Sequence, residues 1–179
     1  MHILRPATHA DLPALLALID ASVRELSRDF YTPIQIESGL RFVFGPDTQL
    51  IDDGTYFVVL DGTALAAAGG WSRRRTLYGG DQTKSGPDPL LDPAVEAARI
   101  RAFFVHPEFA RRGLARLLFE RCAADARAQG FRSLELMATL PGEPLYLALG
   151  FVPLTRESPT LPDGETLPMV HMRRPLDRD

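Results

Sequence analysis

"VHPEFARRGLARLL", residues 105–118, is the stretch from which the rest of the chain can be ordered. An apolar strand turns on His106-Pro107, and a helix then begins among Arg111, Arg112 and Gly113. Helices usually open on Ser, Thr, Asp or Asn, whose side chains satisfy the free backbone donors. No such residue stands here, and arginine in a first turn opposes the helix dipole. The N–H groups of Arg111, Arg112, Gly113, Leu114, Ala115 and Arg116 are therefore expected to stay open beside positive charge. Gly113 and Ala115 are small enough to let a ligand approach the backbone. This pattern suits an anion such as a phosphate at a helix N-terminus. The plainer alternative, a solvated basic turn with an accidental glycine, leaves the mismatch with the dipole unexplained.

Working outward, "ARIRAFFV" (98–105) precedes this turn as a strand, and Leu114, Leu117, Leu118 and Cys122 form one face of the helix that follows, stopping at Gly130. "FRSLELMA" (131–138) is a strand, "GEPLYLALG" (142–150) a short helix, and "FVPLTRE" and "ETLPMVHMRRPL" supply two last strands. Upstream, "HILRP" is a first strand. Thr8 and Asp11 form an acidic capping box for a helix carrying Leu12, Leu15, Leu16, Ile19 and Val23. Thr32-Pro33 opens a second helix with Ile36, Leu40 and Phe44 on one stripe. "GTYFVVLDGTALAAAGGW" (54–71) is a hairpin turning at Asp61-Gly62. The segment 76–96, rich in Gly, Pro and Asp, is an irregular loop, equally a functional element or a mobile insertion. Within it "GGDQTKSG" has only part of a phosphate-loop pattern, with Thr83 where the second glycine belongs and no helix after it. The order predicts an α/β fold, a mixed sheet flanked by helices.

A chain of 179 residues is sized for a single domain, 1–179. Its net charge of −3 argues against a general nucleic-acid partner. Cys122 is the one cysteine, so no internal disulfide can form and a reducing compartment fits. No apolar run reaches the length of a membrane span. "MHILRPATHADL" lacks the apolar stretch of a signal peptide. The expected location is cytoplasmic, without a membrane partner.

The stretch "FFVHPEFARRGLARLLFERCAADARAQGFRSLELMATLPGEPLYLALGFVPL" resembles the central half of the GNAT superfamily of acyl-CoA N-acyltransferases. "ARRGLA" is similar to the family's [R/Q]-x-x-G-x-[G/A] loop, "LELMA" to its next strand, and "LYLALGF" to its "LYxxxGF" ending, in the same order and spacing. The flanking elements fit the family order across most of the chain, the 76–96 loop excepted. The resemblance implies a central, mostly antiparallel sheet whose one parallel pair, at 98–105 and 132–138, splays apart. It implies acetyl-CoA as co-substrate, with pantetheine along the free backbone of Phe103, Phe104 and Val105 and pyrophosphate on residues 111–116. It also implies acetyl transfer to a primary amine of a small molecule or a peptide, by direct attack in a ternary complex and without a metal. Tyr146 matches the family tyrosine that donates to the departing sulfur. With a one-residue gap, Glu135 aligns with a strand glutamate that some members use as base; Glu96, His106 and His171 are other candidates, as is a water chain. Ala110 departs from the first loop position, and "TLPGEP" from the asparagine that often opens the short helix. A non-catalytic acyl-CoA-binding module would keep the cradle but not need Tyr146.

"GGWSRRRTLYGGD" (69–81) remains. One reading makes it an acceptor pocket, with Trp71 stacking on the substrate and Arg73 or a neighbour pairing with its carboxylate. The other puts Trp71 in the core and leaves the arginines as a solvated edge. The bulky "AFFV" suggests a tight channel, hence acetyl as the acyl group. A homodimer through the C-terminal strands is compatible with this order.

Overall fold

The computed structural model of the protein describes residues 2–176. Seven strands form one sheet in the order β1-β2-β3-β4-β5-β7-β6. They are β1 (His2–Pro6), β2 (Tyr56–Asp61), β3 (Ala64–Ser72), β4 (Ala98–Val105), β5 (Ser133–Thr139), β6 (Val152–Glu157) and β7 (Met169–Pro175). All neighbours are antiparallel except β4 and β5. That parallel pair is connected by α4 (Leu114–Ala128), the crossover helix such a connection requires. The remaining helices are α1 (Leu12–Leu26), α2 (Pro33–Phe42), α3 (Thr48–Asp52) and α5 (Glu143–Ala148).

The local signals act as the sequence predicts at most ends. Asp11 accepts the Thr8 N–H ahead of α1, and Thr32 accepts the Gln35 N–H at the start of α2. Gly62 turns the β2–β3 hairpin at φ +60°, and Gly130 follows α4 at +89°. Two expectations are revised and one helix is added. Leu16 is 55% exposed, because the face of α1 that meets the sheet runs through Leu15, Leu18, Ile19, Ser22 and Val23. The short helix α3 is too brief to show a period; Asp47 caps it by accepting the Gln49 N–H. Segment 76–96 is tied down at many points rather than loose: Arg75 N–H bonds the Pro89 carbonyl, Leu91 N–H the Arg73 carbonyl and Gly80 N–H the Val43 carbonyl.

Two layers cover the sheet. On one side Leu114, Leu118, Phe119 and Cys122 of α4 pack on Phe57, Ile100, Leu134, Leu136 and Met172. On the other, Leu15 and Leu18 of α1 meet Tyr56, Val58 and Ala68, while Ile19, Val23 and Ile36 meet Met169. Burial of these apolar stripes, at about 25 cal/mol per Å², supplies the main drive to fold.

Candidate active site

β4 and β5 pair only at Ala98–Leu134 and Arg99–Glu135. Beyond those residues the two strands diverge, each continuing toward its C-terminal end with no partner on the facing side. A bulge in β4 contributes to the divergence. Gly70 opposes Arg101 and Ala68 opposes Phe104, so β4 carries an extra residue, and Ala102 sits at φ +54°. The bulge resets the alternation of side chains. Ile100, Phe103 and Val105 belong to the α4 side, while Ala102 and Phe104 turn to the α1 side. His106 N–H bonds the Ala66 carbonyl of β3. By strand alternation the N–H groups of Phe103 and Val105 point into the gap.

A cavity of about 240 Å³ occupies the gap and passes through the sheet. Its α4 side is lined by Phe103, Val105, Ala115, Leu145 and Tyr146, and its α1 side by Val23, Phe44, Tyr78, Met137 and Met169. Tyr146 is 8% exposed and wedged between Phe103 and Phe151, at ring-centroid distances of 6.4 and 5.6 Å. Its hydroxyl bonds no other described residue, and burial raises its pKa above the ordinary phenol value. The phenol is therefore a held proton rather than a base. No carboxylate or imidazole is among the described residues of the cavity wall.

At the α4 mouth the chain leaves β4 through a turn at Pro107–Phe109, then takes two left-handed residues, Arg111 at φ +62° and Gly113 at +81°. Gly113 is the N-cap of α4 and offers no side-chain bond. The helix proper begins at Leu114, and no described group accepts a hydrogen bond from the N–H groups of residues 111–116. Arg111, Arg112 and Arg116 are exposed around this array, and Arg112 lies over the Phe109 ring at 5.2 Å. A non-glycine held at positive φ costs about 1–2 kcal/mol. That strain at Arg111 accompanies the concave donor surface an anion needs.

The geometry has relatives. Residues 21–151 match the family model described as the Acetyltransferase (GNAT) family. The chain belongs to that family. Solved structures similar to this GNAT protein include the GCN5-related N-acetyltransferase of Rhodopseudomonas palustris, at 19% identity and a TM-score of 0.71, covering 97% of this chain and 94% of that one. The ribosomal-protein-S18-alanine N-acetyltransferase of Escherichia coli follows at 18% identity and TM-score 0.59, with 100% and 96% covered. YncA of Salmonella typhimurium, solved with its cofactor acetyl-CoA, has 17% identity and TM-score 0.64, with 100% and 96% covered. No curated protein matches in sequence.

Within this GNAT domain, several residues singled out by the sequence lie away from the cavity. Trp71 is fully buried, edge-on to Phe131 at 5.9 Å, with its Nε1 unpartnered in the core, so it cannot stack on an acceptor. Arg73 donates to Gln129 at 3.3 Å; Arg74 grips Asp53 at 2.7 and 2.9 Å; Arg75 faces Glu96 at 3.8 Å. These arginines bind the chain to itself. Glu135 is also outside the wall, its carboxylate taken by Arg99 at 2.7 Å, His171 at 3.2 Å and Arg173 at 3.6 Å. His106 accepts the Glu108 N–H and closes the turn. The Gly69-Gly70 pair does permit close approach, but by the protein: a Cβ on Gly69 would lie 2.4 Å from Phe103 Cδ1.

The residues missed by sequence reasoning are Phe44, Leu77, Tyr78, Arg101, Met137 and Met169 of the wall. One signal was available: a charged residue, Arg101, in the middle of a buried strand. It donates to the carbonyls of Thr76 at 2.9 Å and Gly79 at 2.6 Å and to Asp47 at 2.8 Å, so it carries the loop into the cavity wall. Among the described residues no cluster is suited to hold a metal ion, and no helix is long and apolar enough to cross a membrane.

Proposed function

We propose that the protein transfers the acetyl group of acetyl-CoA to a primary amine, by direct attack in a ternary complex. The observation that carries this is the unsatisfied donor array at 111–116 placed at the mouth of a cavity that has Tyr146 in its wall. The residues present fit the co-substrate: the array suits a pyrophosphate, and the free edge of β4 at Phe103 and Val105 suits a pantetheine amide. The same fit answers why α4 starts without a capping side chain, since an anionic ligand takes that place.

Acetyl-CoA supplies an activated acetyl carbon and a thiolate leaving group. The amine lone pair forms the new C–N bond, the C–S bond breaks toward sulfur, and the amine proton passes to water. Tyr146 donates its hydroxyl hydrogen to the departing sulfur and recovers a proton from solvent. Glu135 has no part in this scheme, because its charge is spent on Arg99, His171 and Arg173.

Calorimetric titration of acetyl-CoA into wild type and Gly113→Glu tests the reading. Binding to wild type and a loss of about tenfold or more in the folded variant are expected. No binding to wild type at millimolar acetyl-CoA overturns it.

A further inference from the structure

The α1 side of the cavity is mainly apolar, with Ser22, Ser27, Tyr78 and Thr139 placing hydroxyl groups on the lining. Val23, Phe44, Leu77, Tyr78, Met137 and Met169 form its walls. Among the described residues the only charge on the lining is Arg101, which is 2% exposed and already bonded to the Asp47 carboxylate and to two loop carbonyls. Lys84 adds a second bond to Asp47, so the anion that faces Arg101 is held from both sides. An acceptor carrying a second ammonium would find no carboxylate among the described residues of the wall. One carrying a carboxylate would have to displace Asp47 or the carbonyls of Thr76 and Gly79. Either group would be stripped of water with at most neutral hydroxyls to meet it and no free opposite charge, which is costly. An apolar framework meets no such penalty, and the same dry surroundings favour the neutral, attacking form of its amine.

We infer that the acceptor is a small primary amine on an apolar frame, aromatic or branched aliphatic, and that Leu77 and Tyr78 of the 76–96 segment set this preference. This rests on the acetyl-transfer reading above. It explains why the segment is pinned: Arg101 holds Thr76 and Gly79, the residues on either side of Leu77 and Tyr78, so that pair is presented as a fixed wall.

The test is acetyl-CoA-dependent thiol release with phenethylamine and isoamylamine, against spermidine, phenylalanine and a short peptide with a free N-terminus. Wild type and Leu77→Asp are compared, with circular dichroism confirming that both fold. The expected result is kcat/KM higher by about tenfold or more for the two apolar amines. Leu77→Asp should lose most of that preference through the amine KM, with the acetyl-CoA KM unchanged, and move toward spermidine. Phenethylamine rescue by Leu77→Met would separate wall chemistry from general damage. If acetyl-CoA binds but spermidine, phenylalanine or the peptide is the better acceptor, the inference is overturned while acetyl transfer stands. The same holds if Leu77→Asp leaves the ratios unmoved. Absence of acetyl-CoA binding overturns the parent reading and this one with it.

Discussion

Arg101 and Asp47, far apart in sequence, meet at 2.8 Å with side chains 1% and 0% exposed. The pair sits where β4, the start of α3 and the 76–96 segment converge. Burial lowers the Arg101 pKa, and Asp47 opposes that shift. Breaking a buried pair from one side strands the other charge. Asp47→Ala should therefore cost about 3–5 kcal/mol in urea unfolding. A double Asp47→Leu, Arg101→Met variant should cost less than the two single changes added together. Strict additivity would mean that the two charges do not depend on each other.

Two glycines separate steric from conformational demands. Gly69→Ala places a methyl against the Phe103 ring, which lines the cavity, so overpacking of about 1–3 kcal/mol and a raised acetyl-CoA KM are expected. Gly113→Ala meets nothing within 4 Å, and its cost comes only from φ +81°, about 1–2 kcal/mol. Melting temperatures and steady-state kinetics on both variants would show whether Phe103 is displaced in the first alone.

Tyr146→Phe removes a hydroxyl that bonds no other described residue, so stability should change by less than about 1 kcal/mol. The rate should fall by about 10²-fold in kcat with little change in acetyl-CoA affinity. A purely structural tyrosine would show the reverse, with stability lost and kcat kept.

With no carboxylate or imidazole among the described residues of the wall, the rising limb of the pH–rate profile should not be set by an enzyme group. That limb should follow the acceptor's own pKa and move when one amine is exchanged for another. Tyr146, raised by burial, should produce no falling limb below about pH 10. A fixed rising limb shared by amines of different basicity would reveal a base elsewhere.

Alkaline stability has a defined sign. Burial pushes the Tyr31 phenol up to about 12 and raises those of Tyr56 and Tyr146 further. The unfolded chain loses these protons first, from about pH 10, so the stabilisation is complete below that pH and lost as pH rises toward the folded values. Each such group contributes a slope of about 1.4 kcal/mol per pH unit in that range. Urea midpoints from about pH 9 to 11 would measure it, and Tyr31→Phe should flatten the curve. That variant also removes the bonds to the Pro168 carbonyl and the Leu140 N–H, lowering stability at every pH.

Much of the fold was legible because its signals are local. Thr8–Asp11, Thr32-Pro33, Asp61-Gly62 and Gly130 act within a few residues of themselves, and the structure keeps each in its expected place. Leu16 went astray because the phase of a stripe depends on which surface it meets. For Trp71 the sequence left two readings open, an acceptor pocket or the core, and the structure takes the second, because Phe131 closes over its ring.

The sequence by itself determined the open helix start at 111–116, the order of elements around it and the tyrosine on the short helix, since each is written in contiguous residues with strong backbone preferences. Only the tertiary structure decided where the strands part and what lines the gap. The chamber is assembled from α1, the residues around Phe44, the pinned segment at Leu77 and Tyr78, and strands β5 and β7. The bond between Arg101 and Asp47 that secures it spans 54 residues. No local preference encodes such a contact; it exists because burying both charges is tolerable only when each neutralises the other.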